Sequence, residues 1–362
     1  MFLFLIIPAL GLLYVLWHVW CVLPWPVVWR WVAVIVCASC VVPLVLTMSR
    51  FTDKMPMWCA TLFYEIGTSL LFVTLYMFVI FLLLDILRVT GVMPRALLFS
   101  NGITAFAIFL ATAGIFLCGN MHYNNKTRRE IMLSTNKNVA GSVRMVLMSD
   151  LHLGYNNRRK ELARWVDMVN AERPDIILVG GDVIDMSVRP LAEEGVAEEL
   201  RRLNAPVYAC LGNHEYYCGV EKAADFYKSA GITLLRDSVA TAGDLCIIGR
   251  DDRTNKRRKP LDILVKNADT SRFTILLDHQ PFNLEQAERA GIDFQFSGHT
   301  HHGQVFPISL ITEAIYEVAY GSYRRGATIY YVSSGIGIWG GKYRIGTCSE
   351  YVVATVSGGK NI

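Results

Sequence analysis

The sequence "VRMVLMSDLH", residues 143–152, joins an apolar, strand-like run directly to an acidic residue and a histidine. The same succession returns twice: "PDIILVGGD" ends at Asp182, and "APVYACLGNHE" ends at Glu215. Between the three runs lie the amphipathic, helix-like stretches "RKELARWVDMVNA" and "LAEEGVAEELRRL". Because strands that alternate with helices build parallel sheets, the pattern predicts a βαβαβ unit.

The sequence after Gly231 has fewer helix-like stretches and more short apolar runs, such as "DLCIIGR", "RFTILLDH", "IDFQFSGH" and "ATIYYVSSG". These runs have the length and composition of strands. The second half of this region is therefore predicted to be mainly β and to form a second sheet. The expected fold class is an α/β domain in which a two-sheet β-sandwich is flanked by helices.

Polar residues stand at the ends of these strand-like runs, and the first three groups are spaced by about thirty residues, the length of one βαβ unit. Successive parallel strands deliver such groups to one edge of a sheet, where open α/β sheets keep their sites. The residues in question are Asp150, His152, Asp182, Asn213, His214, His279, His299, His301 and His302.

This set combines carboxylates, imidazoles and an amide oxygen, without a thiolate. Such donors suit hard to borderline divalent ions such as Mn, Fe or Zn. The set is larger than one tetrahedral metal requires. Two metals that share a ligand would clamp the attacking and the leaving oxygen of a phosphoryl displacement. The pattern therefore predicts phosphoester hydrolysis.

The ordered string D-x-H, G-G-D, G-N-H-E, a lone histidine and G-H-T-H resembles the calcineurin-like metallophosphoesterase superfamily, over residues 143–357. The wording "SDLHLG", "LGNHE", "DHQP" and "GHTHHGQ" is most similar to its bacterial membrane-associated phosphodiesterase branch. An apolar amino-terminal part followed by this domain resembles transmembrane metallophosphoesterases.

The resemblance implies two divalent metal ions, with Mn expected first and Fe or Zn as alternatives, and a metal-activated water as the nucleophile. His214 would be the catalytic proton donor to the leaving group. Asp182 would bridge the two metals. The remaining implied ligands are Asp150, His152 and His301 for the first metal, and Asn213, His279 and His299 for the second.

His302 departs from the family pattern, which has a small residue at this place. If the segment is extended, His299 and His301 face the same site while His302 points elsewhere. A surface or supporting role is favoured for His302 over contact with the substrate.

The amino-terminal part contains four apolar runs, at residues 2–23, 27–48, 58–87 and 96–118, each about long enough to cross a bilayer as a helix. Tryptophans cluster near the run ends, as in an aromatic belt. A cleaved signal peptide is the alternative for the first run, but that run lacks a basic beginning. The expected organisation is a four-helix transmembrane anchor at residues 1–120, a juxtamembrane linker at 121–142 and the metallophosphoesterase domain at 143–362.

Composition agrees with a membrane protein, since 53% of the 362 residues are hydrophobic and only 18% are charged. Five of the nine cysteines lie in or beside the apolar runs, and the four of the soluble part, Cys210, Cys218, Cys246 and Cys348, show no paired or zinc-like spacing, which mildly favours a reducing compartment. With four spans, Arg50, Lys54, Lys126, Arg128 and Arg129 share one side with the catalytic domain, whereas Arg30, Arg88 and Arg95 lie on the other. This excess leans toward a cytoplasmic catalytic domain.

The anchor brings the active site near the bilayer, which favours a lipid-linked substrate. Three features agree with such a substrate. The basic stretch "RTNKRRK" at 253–259 could meet anionic headgroups, although a solvated loop is the commoner interpretation. The apolar stretch "FPISLITEAIYEVAY" at 306–320 is either core or a lid for acyl chains, and four basic residues are possible phosphate clamps. These clamps are Arg324, Arg325, Lys342 and Arg344. Relatives in the branch include UDP-diacylglucosamine hydrolases, so a lipid-linked pyrophosphate or phosphodiester is the leading substrate.

Other functions stay open at this point. A formal net charge of +4, without a basic stripe interleaved with aromatic residues, gives no reason to expect a nucleic-acid partner. A phosphomonoesterase or protein phosphatase is possible, as is a non-catalytic membrane protein that binds metal or a partner. A metal transporter would use Glu65 and Asp85, for which interfacial or helix-pairing roles are favoured. Nothing in the sequence fixes the oligomeric state.

Overall fold

A computed structural model describes residues 2–358, with side chains from residue 6 onward. Met1 and residues 359–362, at the outer limits of the predicted anchor and catalytic domain, lie outside the described residues. The chain divides into a helical unit, which extends to Met121 and includes Gly340–Lys342, and an α/β unit, which holds the rest.

The helical unit consists of long apolar helices. Three are long and apolar enough to cross a membrane: Val27–Met48, Met57–Val89 and Gly102–Asn124, of 22, 33 and 23 residues. The first predicted span contains a shorter apolar helix, Ile6–Val22, among the residues with described side chains. The second, third and fourth predicted spans are therefore supported, whereas the first, at residues 2–23, stays a prediction. The helices are α1 Phe2–Val22, α2 Val27–Ser39, α3 Val41–Met48, α4 Met57–Val89 and α5 Gly102–Asn124.

The second apolar run is divided into α2 and α3 by a turn at Cys40. Pro43 lies in the first turn of α3 and has no backbone N–H to donate to the carbonyl of Ser39. The interruption of this run therefore has a local cause in the sequence.

Asp85 connects α1 to α4. Its carboxylate accepts a hydrogen bond from the hydroxyl of Tyr14 at 2.7 Å and lies 3.1 Å from Nε2 of His18 and 3.4 Å from Arg88. Glu65, by contrast, is exposed. Polar contacts between apolar helices of this kind join helices in a bundle.

The α/β unit contains two six-stranded sheets, ordered β1-β12-β2-β3-β4-β5 and β10-β11-β9-β8-β7-β6. Their strands are β1 Lys126–Thr135, β2 Ser142–Met148, β3 Ile176–Val179, β4 Val207–Ala209, β5 Thr233–Leu234, β6 Ser238–Ala242, β7 Leu245–Gly249, β8 Phe273–Leu277, β9 Phe294–Ser297, β10 Gly321–Arg325, β11 Thr328–Val332 and β12 Ser349–Gly358. Strands β2 to β5 are parallel, and so are β7, β8, β9 and β11.

Helices lie against the outer faces of both sheets. The helices of this unit are α6 Arg159–Ala171, α7 Arg189–Glu193, α8 Val196–Leu200, α9 Asn213–Cys218, α10 Val220–Ser229, α11 Leu261–Val265, α12 Glu285–Arg289 and α13 Ile308–Ile315. One apolar core joins the first sheet to α6, α8 and α10, a second lies between the sheets, and a third joins the second sheet to α11 and α12. The predicted helix-flanked sandwich of two sheets is confirmed.

Strand β2 shows why these runs are continuously apolar. Val146 and Met148 enter the core with the helices, whereas Met145 and Leu147 enter the core between the sheets. Successive side chains of a strand point to opposite faces, so a strand with both faces covered is apolar throughout.

The predicted linker at 121–142 differs from the structure. Residues 126–135 form β1, which pairs in parallel with β12 over ten residues. Strand β1 lies at the sheet edge and alternates weakly between apolar and polar residues, which is why it reads as a linker.

Candidate metal centre

The polar residues expected at the strand ends converge in the structure. They follow β2, β3 and β4 of the first sheet and β8 and β9 of the second, and Asn213 and His214 lie in the first turn of α9. Both sheets therefore supply side chains to one place, as the carboxyl ends of parallel strands do.

One potential metal-binding group consists of Asp150, His152 and His301. The Nε2 atoms of His152 and His301 lie 3.1 Å apart, and Oδ1 of Asp150 lies 3.5 Å from Nε2 of His301 and 3.9 Å from that of His152. Two imidazole nitrogens and a carboxylate oxygen thus face a common point.

A second group consists of Asp182, His279 and His299. Oδ2 of Asp182 lies 3.1 Å from Nε2 of His279 and 3.7 Å from Nε2 of His152, so it reaches both groups. Nδ1 of His279 lies 2.7 Å from the carbonyl of Gly180. A backbone carbonyl at Nδ1 leaves Nε2 to act as a ligand.

The donor atoms fit divalent cations. Oδ1 of Asn213 is buried and has no hydrogen-bond partner among the residues that the structure describes. Burial lowers the pKa of His299 to about 4 and also lowers the pKa of His301, so both imidazoles are neutral, the form that binds metal. Imidazoles, carboxylates and an amide oxygen are all ligands of divalent cations.

His214 lies beside these two groups and forms, with His152 and Asp185, a third set of possible metal ligands. Burial lowers its pKa, but the carboxylates of Asp182 and Asp185 outweigh this effect and raise the pKa to about 9. Its Nδ1 atom lies 3.0 Å from Oδ1 of Asp185, and its backbone N–H donates to Oδ1 of Asp182 at 2.9 Å. At neutral pH the ring therefore carries a proton, as a general acid requires.

Two residues of the site gained no role from the sequence: Asp185 and Glu215. Oδ1 of Asp185 lies 3.4 Å from Nδ1 of His152 as well as near His214, and these histidines overcome burial to lower its pKa to about 2. The Glu215 carboxylate accepts the backbone N–H groups of Gly212, Asp182 and Ile184. In the sequence, Asp185 lies three residues after "GGD" and Glu215 directly follows "GNH", and this closeness was the signal that could have indicated their place in the site.

The site is built on strained backbone. Five of the seven predicted metal ligands adopt positive φ angles, a region that few non-glycine residues enter. They are Asp150, His152, Asp182, His299 and His301. Gly298 allows close approach, because a Cβ atom there would lie 2.2 Å from Oδ2 of Asp150.

His302 is not part of either metal-binding group. Its Nε2 atom lies 3.1 Å from Oε1 of Glu313, and its ring stacks on Tyr320 at 4.6 Å. The predicted direction of His302 depended on an extended segment. In the structure, however, His301–Gly303 form a 3-10 turn, and His302 has a φ of 50°. Glu313 of α13 and Tyr320, which lies just before β10, therefore hold this side chain.

The predicted substrate arginines are placed differently from expectation. Arg344 is fully buried and donates to the carbonyls of His301, Ser334 and Gly337 and to the hydroxyl of Ser349. Its donors are occupied by the loops of the site, and one of them holds the backbone of His301.

Two of the other three predicted clamps lie on strand β10. Arg325 pairs with Glu288 and Glu317, at 2.8 Å and 3.0 Å, which occupies its guanidinium. Arg324 is exposed.

We expect Arg344→Met to destabilise the protein and weaken metal binding. Three buried carbonyls would lose their donor, and an unsatisfied buried polar group costs about 1–3 kcal/mol. The measurement is heat-induced unfolding of the detergent-solubilised protein, together with its Mn content. Arg324→Met, the same change at an exposed position, is the control, and an equal loss in both variants would contradict the positioning role.

Known proteins similar to this chain include metallophosphoesterases. The calcineurin-like phosphoesterase family profile matches residues 143–303. The chain is 34% identical over 230 residues to an uncharacterized metallophosphoesterase of Aquifex aeolicus, covering 60% of this chain and 87% of that protein. It is 31% identical over 204 residues to one from Helicobacter pylori, with 55% of each covered.

An animal relative shows a similar combination of parts. The chain is 36% identical over 227 residues to a Danio rerio "transmembrane protein with metallophosphoesterase domain", which covers 58% of this chain and 52% of that protein. The chain thus spans just over half the length of the Helicobacter pylori and Danio rerio relatives.

Proposed function

Since the chain belongs to the calcineurin-like metallophosphoesterase family, we propose that it is a membrane-anchored, two-metal phosphohydrolase that cleaves a phosphodiester or pyrophosphate bond. The observation that carries this proposal is Oδ2 of Asp182, which lies within 3.7 Å of imidazole nitrogens from both metal-binding groups. A shared carboxylate is the arrangement that two adjacent metal ions require.

Seven residues would hold the metals. Asp150, His152 and His301 form the first set, Asn213, His279 and His299 the second, and Asp182 serves both. When bound, two divalent ions supply an activated water and neutralise charge that develops on the phosphoryl oxygens.

The protein's own contribution to bond cleavage is a positioned proton. Asp185 lies 3.0 Å from Nδ1 of His214, which leaves Nε2 of that ring to donate to the leaving-group oxygen. Asp182 accepts the backbone N–H of His214 at 2.9 Å, so the donor and the proposed bridge are held together.

Further details of the proposal concern metal, substrate and placement. Mn suits the oxygen and imidazole donors, and a lipid-linked substrate agrees with the apolar helices of the chain. It also agrees with α13, which follows the metal-binding histidines and exposes Leu310, Ile311 and Ile315 at 55%, 56% and 58%. The excess of basic residues beside the spans favours a cytoplasmic catalytic domain.

The proposed division keeps an anchor up to residue 120 and a catalytic domain from residue 143. Strand β1 (Lys126–Thr135) is added to the catalytic domain, because it pairs with β12.

The experiment that tests the activity is hydrolysis of bis-p-nitrophenyl phosphate by the full chain in detergent, stripped of metal and then supplied with Mn. We expect turnover that depends on Mn and exceeds turnover of p-nitrophenyl phosphate, because the proposed reaction is that of a diesterase. A preference for the monoester would indicate a phosphomonoesterase. Absence of turnover with both ions bound would indicate a metal-binding protein without catalysis.

A further inference from the structure

Arg253 differs from the other arginines of its loop. Arg250 and Arg258 both pair with Asp278, at 3.1 Å and 3.0 Å. The Arg253 guanidinium has no acidic partner and donates no side-chain hydrogen bond within residues 6–358, and its Nη1 atom is shielded from solvent without an acceptor. A partly buried donor without an acceptor is costly, so this arrangement is typical of a group that meets a ligand.

The acidic residues next to Arg253 in sequence are already engaged. Asp251 accepts hydrogen bonds from Tyr216 at 2.6 Å and from Arg236 at 2.9 Å. Asp252 accepts from the side-chain amide of Gln280 at 2.9 Å and 3.0 Å. Neither carboxylate forms an ion pair with Arg253 in the described part of the chain.

A row of aromatic side chains connects Arg253 to the metal centre. The guanidinium lies over the ring of Phe282, 4.0 Å from its centroid, and Phe282 lies 4.7 Å from the ring of Tyr316. Tyr316 in turn lies 6.2 Å from the ring of His299. We call Arg253, Phe282 and Tyr316 the arginine wall. All three side chains are half-buried, so one part of each faces solvent.

We propose that the arginine wall is an anion subsite: Arg253 binds a second anionic group of the substrate, a phosphate or carboxylate adjacent to the phosphoester held at the metal centre. This inference rests on the proposed function. Stacking on Phe282 fixes the plane of the guanidinium, and a fixed guanidinium presents paired donors to a planar carboxylate or to two phosphate oxygens. Substrates with a second charge beside the scissile bond, such as pyrophosphate esters, would gain affinity over simple diesters.

The test compares two small anions on the Mn-loaded full chain in detergent. Methylphosphonate carries one anionic group, whereas phosphonoacetate adds a carboxylate at short distance. Their dissociation constants are measured by calorimetry with Mn in excess over either anion, for the unaltered protein, Arg253→Gln and Arg257→Gln. Arg257 lies in the same loop and is exposed, so its variant makes the same change of charge away from the wall.

We expect the unaltered protein and Arg257→Gln to bind phosphonoacetate about tenfold more tightly than methylphosphonate, as one charge-assisted contact gives. In Arg253→Gln this preference should disappear. A preference that persists in Arg253→Gln, that is absent from the unaltered protein, or that Arg257→Gln loses equally would overturn the subsite. Because binding is measured without turnover, an Arg253-dependent preference in a protein that hydrolyses no ester would retain the subsite and reject the proposed reaction.

Discussion

Asp182→Ala is expected to lose tightly bound metal and hydrolysis together. The Asp182 carboxylate lies 3.1 Å and 3.7 Å from imidazole nitrogens of the two metal-binding groups, so no other side chain of the site replaces it. It is also buried, and it holds the backbone of His214. We expect metal content, measured by elemental analysis after gel filtration, to fall from two ions per chain to a trace, and hydrolysis of bis-p-nitrophenyl phosphate to fall to background.

Two further variants separate a metal-binding role from a general structural one. Asp182→Asn keeps the volume and one oxygen but removes the charge, and we expect it to lose metal nearly as completely. His302→Ala changes the histidine next to His301, whose side chain contacts Glu313 and Tyr320, and we expect it to retain both ions. Full metal content in Asp182→Asn would show that this carboxylate is not the bridge.

The fold was predictable because a strand that is covered on both faces must be apolar throughout, and such runs are visible in the sequence. Met145 and Leu147 pack on one face of β2 and Val146 on the other, so the run has to be apolar throughout. Strand β1 was not predictable in the same way. It lies at a sheet edge, and Leu133 is the single buried residue of its ten, so its sequence lacks the pattern that burial imposes.

The candidate site was predictable where a strand end delivers the residue. Asp150 follows β2, and Asp182 follows β3, so the spacing of parallel strands brings them together. Arg344 and Arg253 show the limit of this reasoning. Both are basic residues outside strands. The guanidinium of Arg344 donates its hydrogen bonds to backbone carbonyls, whereas that of Arg253 lies over the ring of Phe282. Only the three-dimensional arrangement of carbonyls and carboxylates around each guanidinium separates these cases.

The left-handed backbone of the site is also absent from the sequence pattern. Asp150 and His152 have φ angles of 54° and 44°, in a region that usually favours glycine. Their backbone N–H groups donate to the carbonyls of Gly181 and Asp182, at 3.0 Å in both cases. These contacts between the β2 and β3 loops hold the conformation, and they depend on the sheet being formed.

His214→Ala is expected to retain both metal ions and to lose most of the hydrolysis. Its ring lies outside the two sets of proposed ligands, and Asp182 and Asp185 keep it protonated by raising its pKa to about 9. Loss of a positioned proton donor lowers turnover by about 10²- to 10⁴-fold. The measurement is kcat for a dialkyl phosphodiester, whose alkoxide leaving group needs the proton, alongside metal content by elemental analysis, with the same preparation used for both.

A change of leaving group distinguishes proton donation from simple packing. An ester whose leaving group is a strong acid needs little protonation, so His214→Ala should slow p-nitrophenyl esters less than alkyl esters of the same phosphate. Asp185→Asn, which removes the carboxylate 3.0 Å from Nδ1 of His214, should show the same dependence on the leaving group with a smaller loss. If His214→Ala kept normal rates, or slowed both kinds of ester equally, His214 would not be the proton donor, and the role would pass to a group outside the side chains of this site.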